Sequence, residues 1–259
     1  MSIIDYSLRF NNYPIVEARK KLKEIHNLQQ NNFDSYVDKQ KKKIVKYHLD
    51  NTPFYRELVN NKDWNWNSLP VLEKKDLQVS LQERLSKDYT LKNVFKNKTS
   101  GSTGNPFSFA KDKFSHALTW AIITNRFNWH NLYGKKQARF YGFPKDKLSK
   151  NKELLKDVFS NRYRFNVFDV SDKALENWIE KFKTKNFVYL NGYTTVILVF
   201  AKYLISKNIV LKDICNTLKA CVVTSEMLFE NDKEILKKAF GVPIINEYGN
   251  VIGVAVSKI

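Results

Sequence analysis

The sequence predicts an α/β fold in which helices flank β-sheets, and three observations predict it. Up to about residue 90, apolar residues recur at helical spacing between charged ones. Beyond that point, helical patterns alternate with short apolar runs of strand length. Capping and stop residues stand where those helices would begin and end. Strands alternating with helices argue for a sheet covered by helices. The expected organisation is a mainly helical segment, 1–90, followed by an α/β region, 91–259.

Phe33, Tyr36, Val37, Ile44 and Tyr47 mark the first long helix, which Pro53 ends. Leu69-Pro70 makes a turn before a short helix starting at Glu73. Phe114, Ala117, Leu118, Ala121 and Ile122 form the next helical stripe. Leu175, Trp178, Ile179 and Phe182 form another, with Ser171 as its N-cap. Ile235, Leu236 and Ala239 form a third, which Gly241 stops. The strand candidates are Ala138 to Tyr141, Tyr163 to Phe168, Phe187 to Leu190, Ala220 to Val223 and Ile244 to Ile245. The final Val254 to Ile259 also reads as a strand. The most hydrophobic stretch, Val188 to Ile205, is interrupted by Asn191, Gly192, Thr194, Thr195 and Lys202. A bilayer span needs about 20 predominantly apolar residues, so this stretch reads as a core helix and not as a membrane anchor.

Composition narrows the classes further. The 259 residues are 43% hydrophobic and 14% aromatic, enough for a sizeable core. Two cysteines, Cys215 and Cys221, cannot staple a chain of this size and fit a reducing, cytoplasmic compartment. The start, Met1 to Tyr6, shows no secretory signal pattern. The net charge of +18 raises the question of nucleic acid or another polyanion. The lysines are spread from end to end, however, and no nucleic-acid-binding motif is present. The four histidines are scattered without metal-ligand spacing, and Trp120, Trp129 and Tyr163 fit core packing.

Only eight glycines occur, so two within four residues carry information. They lie in Thr99-Ser100-Gly101-Ser102-Thr103-Gly104, six small residues followed by Asn105-Pro106. Glycine lets backbone N–H groups approach an anion, and hydroxyls add donors. A Walker A loop would end in Gly-Lys-Ser/Thr, which is absent, and the spacing excludes a nucleophile elbow. On chemistry alone the segment suits a polyphosphate cradle or an ordinary exposed turn.

Thr-Ser-Gly-Ser-Thr-Gly-Asn-Pro closely resembles the phosphate loop of adenylate-forming enzymes, the acyl-CoA synthetase and luciferase superfamily. Asn51-Thr-Pro-Phe-Tyr-Arg56 and Leu69-Pro-Val-Leu-Glu-Lys-Lys-Asp-Leu77 look like its phenylacetate–CoA ligase branch, with the CapK-like capsule-biosynthesis relatives. Phe107 stands where many members carry lysine, a difference that branch tolerates. Downstream, Tyr189 to Thr195 is similar to a glycine-centred turn beside the acyl pocket. Val222-Val-Thr-Ser-Glu-Met-Leu228 is similar to an element lying along adenine. Ile245-Asn-Glu-Tyr-Gly249 matches a motif whose ring stacks near adenine.

The resemblance implies the large N-terminal domain of that superfamily, with ATP and a carboxylic acid giving an acyl-adenylate that passes to a thiol such as CoA. It implies phosphate binding by Thr99, Ser100, Gly101, Ser102, Thr103 and Gly104. Adenine would be framed by Ser225, Glu226, Asn246, Glu247, Tyr248 and Gly249. Asn191, Gly192 and Tyr193 would border the acyl pocket. Mg²⁺ is expected with ATP but weakened, because Asn250 to Val254 lacks the usual glutamate, leaving Glu226 or Glu247 as substitutes. Relatives continue past Ile259 with a small domain carrying a catalytic lysine. A truncated chain, active or reduced to a nucleotide-binding remnant, is therefore expected. Its implied partners are a small carboxylic acid and a second copy or a separate C-terminal half.

Overall fold

A computed structural model describes residues 3–60, 64–99, 106–143, 147–248 and 256–258. It divides into two compact units: Ser7–Ile122, and the described residues of Met1–Tyr6 with Ile123–Ile259.

Four helices come first: α1 (Ile3–Phe10), α2 (Ile15–His26), α3 (Gln30–Asn51) and α4 (Pro53–Val59). Helix α2 buries Ile15, Ala18 and Leu22, one stripe at helical spacing. Helix α3 is the expected long helix, and Pro53 both ends it and starts α4 at N1, where its missing N–H costs nothing. Helix α4 then stops at Asn60, which takes a left-handed conformation. The short helix expected from Glu73 is a 3₁₀ turn over Lys74–Leu77, and Asp76 accepts the Glu73 N–H at 2.7 Å. Strands β1 (Phe95–Lys98) and β2 (Ser108–Lys111) pair antiparallel as a separate hairpin. The sequence gives little sign of them, because Phe-Lys-Asn-Lys is largely exposed and lacks an apolar run.

Helix α5 (Lys113–Trp129) matches the stripe from Phe114, but Trp129 is 59% exposed and does not pack in the core. Then follow β3 (Gln137–Phe140), α6 (Lys147–Phe159), β4 (Arg162–Arg164), α7 (Asp172–Thr184) and β5 (Tyr189–Tyr193). The chain continues through α8 (Thr194–Ser206), α9 (Leu211–Ile214), β6 (Ala220–Thr224), α10 (Glu230–Phe240), β7 (Ile244–Tyr248) and β8 (Val256–Lys258). Ser171 caps α7 by accepting the Ala174 N–H, and Gly241 closes α10 at φ +66. The run Val188 to Ile205 is not one helix. It is strand β5 up to Tyr193 and helix α8 from Thr194. Helix α6 escapes a pattern search because its polarity is inverted: Asp157 is buried while Leu148, Leu155, Val158 and Phe159 are exposed.

The sheet order is β4-β3-β5-β6-β7-β8, parallel except for β8. From β3 the chain turns outward to β4, and from β5 it steps the other way through β6 to β7. The switch point of this doubly wound sheet therefore lies between β3 and β5, where such folds bind ligands beyond the carboxyl ends of the strands.

Register assigns the two faces. Ala138, Phe140, Leu190, Cys221, Val223 and Ile244 point to one side and pack with residues of α7, α8 and α10 into the main core. Rings fill it: Phe140 stacks on Phe165 at 4.6 Å and meets Trp178 edge-on at 5.2 Å. A Cβ on Gly192 would run into the Phe140 carbonyl, so only glycine lets β5 lie this close to β3. Cys215 and Cys221 are free and buried. No helix among the described residues is long and apolar enough to cross a membrane.

Candidate functional site

The opposite face of the sheet is graded. Near the strand starts it is apolar, with Tyr189, Ala220, Val222 and Ile245 packed around Leu132 and Phe127. Toward the carboxyl ends the same alternation brings up Arg139, Asn191, Tyr193, Thr224 and Glu247. A hydrophobic face would be the cheaper solution, since each buried polar group needs a partner. The polar end of this face is therefore the first place to look for function.

Several of its groups support the sheet. Gln137 donates to Asn191 Oδ1 at 3.0 Å, and Asn191 Nδ2 donates to the Val222 carbonyl at 3.2 Å. Asn191 thus ties β3, β5 and β6 together and is buried. Arg126, from α5, donates to Glu247 at the end of β7, and the pair is nearly inaccessible. Burial lowers the arginine and raises the glutamate. Arg126 and then Arg139 oppose that rise without cancelling it. At the β4 edge Arg164 is neutralised by Asp157 at 2.6 Å and Glu153 at 3.1 Å, both from α6.

Arg139 differs. Its guanidinium lies over the Tyr141 ring at 4.1 Å, and Tyr141 meets Tyr193 at 4.9 Å. Burial pushes the Tyr141 hydroxyl up to about 12. Among the described residues Nε of Arg139 and Nη1 of Arg126 are buried without hydrogen-bond partners. An orphaned buried donor costs about 1–3 kcal/mol. Beyond the carboxyl ends of β3, β4 and β5 opens a cavity of about 470 Å³, bordered by Gly142, Lys152, Lys156, Arg164, Phe168 and Tyr193.

The turn after β6 carries a second concentration of features. Ser225 has φ +71, a left-handed conformation that costs a residue with a side chain about 1–3 kcal/mol. Glu226 accepts the Thr195 N–H at 2.6 Å, placing a carboxylate on the α8 N-terminus, while Thr194 Oγ1 donates to the Glu226 carbonyl at 3.4 Å. Thr224 pairs in register with Glu247, so the Thr224-Ser225-Glu226 and Asn246-Glu247-Tyr248 segments end on neighbouring strands. Tyr248 is 73% exposed there, with Met227 and Phe229 also exposed.

In the other unit, the hairpin brackets the glycine-rich segment. Thr99 N–H donates to the Phe107 carbonyl and Phe107 N–H donates to Thr99 Oγ1, both at 2.9 Å. A cavity of about 620 Å³ beside this neck is lined by Arg84, Lys96, Lys98 and Phe107 among others. Arg84 donates to the Ser108 carbonyl at 2.7 Å and lies over the Phe107 ring.

Of the residues expected from sequence, Thr99 closes the hairpin neck. Ser100, Gly101, Ser102, Thr103, Gly104 and Gly249 lie outside the described residues. Ser225, Glu226, Asn246, Glu247 and Tyr248 are brought together at the ends of β6 and β7. Tyr193 borders the cavity of about 470 Å³, and Asn191 and Gly192 lie within strand β5. Sequence reasoning missed Arg126, Arg139, Tyr141 and Arg164. Arg139 carried a signal, a charge inside an apolar strand run. No described group of three His, Cys, Asp or Glu side chains could hold a metal, and Glu226 and Glu247 are both engaged. The described residues thus do not fit a dedicated Mg²⁺ site.

No family model matches the chain. It is 23% identical over 252 residues to Protein CapK of Staphylococcus aureus, covering 93% of this chain and 53% of that protein. Its structure superposes on 2-hydroxyisobutyryl-CoA ligase, in an open conformation in complex with 2-HIB-AMP and CoA, with a TM-score of 0.60 and 13% identity. That match covers 86% of this chain and 55% of the ligase. The same ligase in the thioesterification state gives 0.60 and 14% identity, covering 85% and 49%. The chain thus spans about half the length of the relatives it matches.

Proposed function

We propose that this chain, which has the α/β fold of the N-terminal domain of adenylate-forming CoA ligases, works as the nucleotide- and acid-binding part of such a ligase. ATP and a carboxylic acid are its substrates. A carboxylate oxygen attacks the α-phosphorus, the bond to pyrophosphate breaks, and an acyl-adenylate forms. A thiol such as CoA then takes the acyl group and releases AMP.

The observation that carries this reading is the register of β6 on β7. It sets Thr224-Ser225-Glu226 beside Asn246-Glu247-Tyr248 at the carboxyl edge of a parallel sheet. In this reading the exposed Tyr248 ring and the left-handed Ser225 turn frame adenine. Thr99, with Ser100 to Gly104, takes the phosphates. Tyr193 borders the acid, while Asn191 and Gly192 hold β5 in place for it. Because Glu226 and Glu247 already have partners, Mg²⁺ arrives on ATP itself. Such a reaction asks for positioning and charge stabilisation more than proton transfer, which matches a site rich in donors and poor in free bases.

Calorimetric titration with ATP, with and without Mg²⁺, tests the reading, followed by carboxylate-dependent pyrophosphate exchange. Saturable binding that Gly104→Trp abolishes is the expected result. An ATP affinity unchanged in a folded Gly104→Trp variant would sink it. A second reading, nucleotide binding without turnover, is favoured by the engagement of both glutamates. It predicts ATP binding with no exchange.

A further inference from the structure

The arginines of the polar face have unequal surroundings. Arg164 has two carboxylates and Arg126 has Glu247. Arg139, between them on β3, has no ion-pair partner among the described residues. It stands directly across from Arg164 in the β3–β4 register, so a like charge is its neighbour. Burial, then Arg162 and Arg164, disfavour its charge, and Asp157 offsets this only in part. The Tyr141 ring lies 4.1 Å from the cation, but Nε–H is buried and has no hydrogen-bond acceptor among the described residues. An aliphatic side chain would fill a strand interior with none of these penalties. The guanidinium lies over Tyr141, whose ring meets Tyr193 across the switch point between β3 and β5.

Resting on the ligase reading, we infer that Arg139 is the oxyanion-recognition residue of the switch-point crevice and that the acid substrate carries a second anionic group for it. A planar guanidinium with free donors suits a carboxylate, which can accept two parallel hydrogen bonds. The same chemistry would accept a nucleotide phosphate oxygen, and the two sources separate experimentally. The reacting carboxylate needs a free lone pair to attack phosphorus, so a clamp on a second carboxylate leaves the chemistry unhindered.

The test titrates the full chain, Arg139→Gln and Arg139→Lys with succinate, butyrate and ATP by calorimetry, with melting curves to confirm folding. The wild-type chain is expected to bind succinate at least about tenfold more tightly than butyrate, a difference of about 1.4 kcal/mol. Arg139→Gln should erase that preference and leave ATP affinity unchanged. Arg139→Lys keeps the charge without the fork and should retain only part of it. This variant carries the test if the glutamine variant does not fold. A tenfold loss confined to ATP would identify the oxyanion as a phosphate. Affinities for succinate and ATP that ignore both substitutions overturn the inference. If the chain still binds ATP in a Gly104-dependent way, the ligase reading stands without it. Arg139-dependent succinate binding in a chain that ignores ATP would overturn the ligase reading and keep the inference. Absence of all binding overturns both.

Discussion

The two faces of the six-stranded sheet are made by the same strands and obey different rules. On one, Phe140, Leu190, Val223 and Ile244 meet residues of α7, α8, α9 and α10 in a continuous apolar core. On the other, apolar residues near the starts of β5, β6 and β7 give way to Asn191, Thr224 and Glu247, and β3 contributes Gln137 and Arg139. Packing alone explains the first face. The second carries buried charge and, among the described residues, two orphaned donors, features that destabilise a fold.

Substitutions on each face sharpen that contrast. The largest expected effect is Phe200→Ala on the apolar side. Phe200 is fully buried against Phe140, Trp178, Phe182 and Phe240, so its loss should cost about 3–5 kcal/mol. Denaturant unfolding should show a lower midpoint, with ATP affinity of the folded fraction unchanged. A loss below 1 kcal/mol would break the comparison.

On the polar side, Glu247→Leu leaves Arg126 buried without its carboxylate and should cost about 3 kcal/mol. Combining it with Arg126→Met should recover most of that loss, since an apolar pair fits this environment. Additive losses in the double variant would show that the two residues do not act as a pair.

The smallest effect concerns acid and lies outside the sheet. His116 stacks on Phe95 at 3.8 Å and accepts the Trp120 indole N–H at 3.2 Å, so it is held neutral. Burial, and next Lys111, lower its pKa to about 4. The unfolded chain therefore takes up a proton below about pH 6.5 that the folded chain refuses until about pH 4. Stability is full above pH 6.5 and falls as pH drops through that window. Discounting for its partial exposure, the loss is about 1–2 kcal/mol. His116→Phe should flatten the melting temperature between pH 7 and 4.5. An unchanged slope would place the acid sensitivity elsewhere.

Legibility in the sequence followed the same divide. Helices α7 and α10 could be read from their stripes and from Ser171 and Gly241, because amphipathic helices facing an apolar core announce themselves. Strand β6 was equally clear. Helix α6 was not, because its inward face pairs Asp157 and Glu153 with Arg164 while leucines face outward. The β5–α8 boundary hid inside one hydrophobic run, since strand and helix are both buried. The short site motifs were visible in order, but their adjacency is a property of register. Arg126 and Glu247, 121 residues apart, meet only after the sheet has formed.

Ser225 has a consequence for how this sequence can drift. A left-handed backbone at φ +71 admits glycine, asparagine and aspartate readily and penalises branched or bulky residues. The turn is fixed on one side by the strand ending at Thr224 and on the other by Glu226 on the α8 N-terminus. It cannot relax by sliding. Selection for folding alone would thus narrow position 225 to a few small residues, whatever nucleotide or acid the protein comes to prefer.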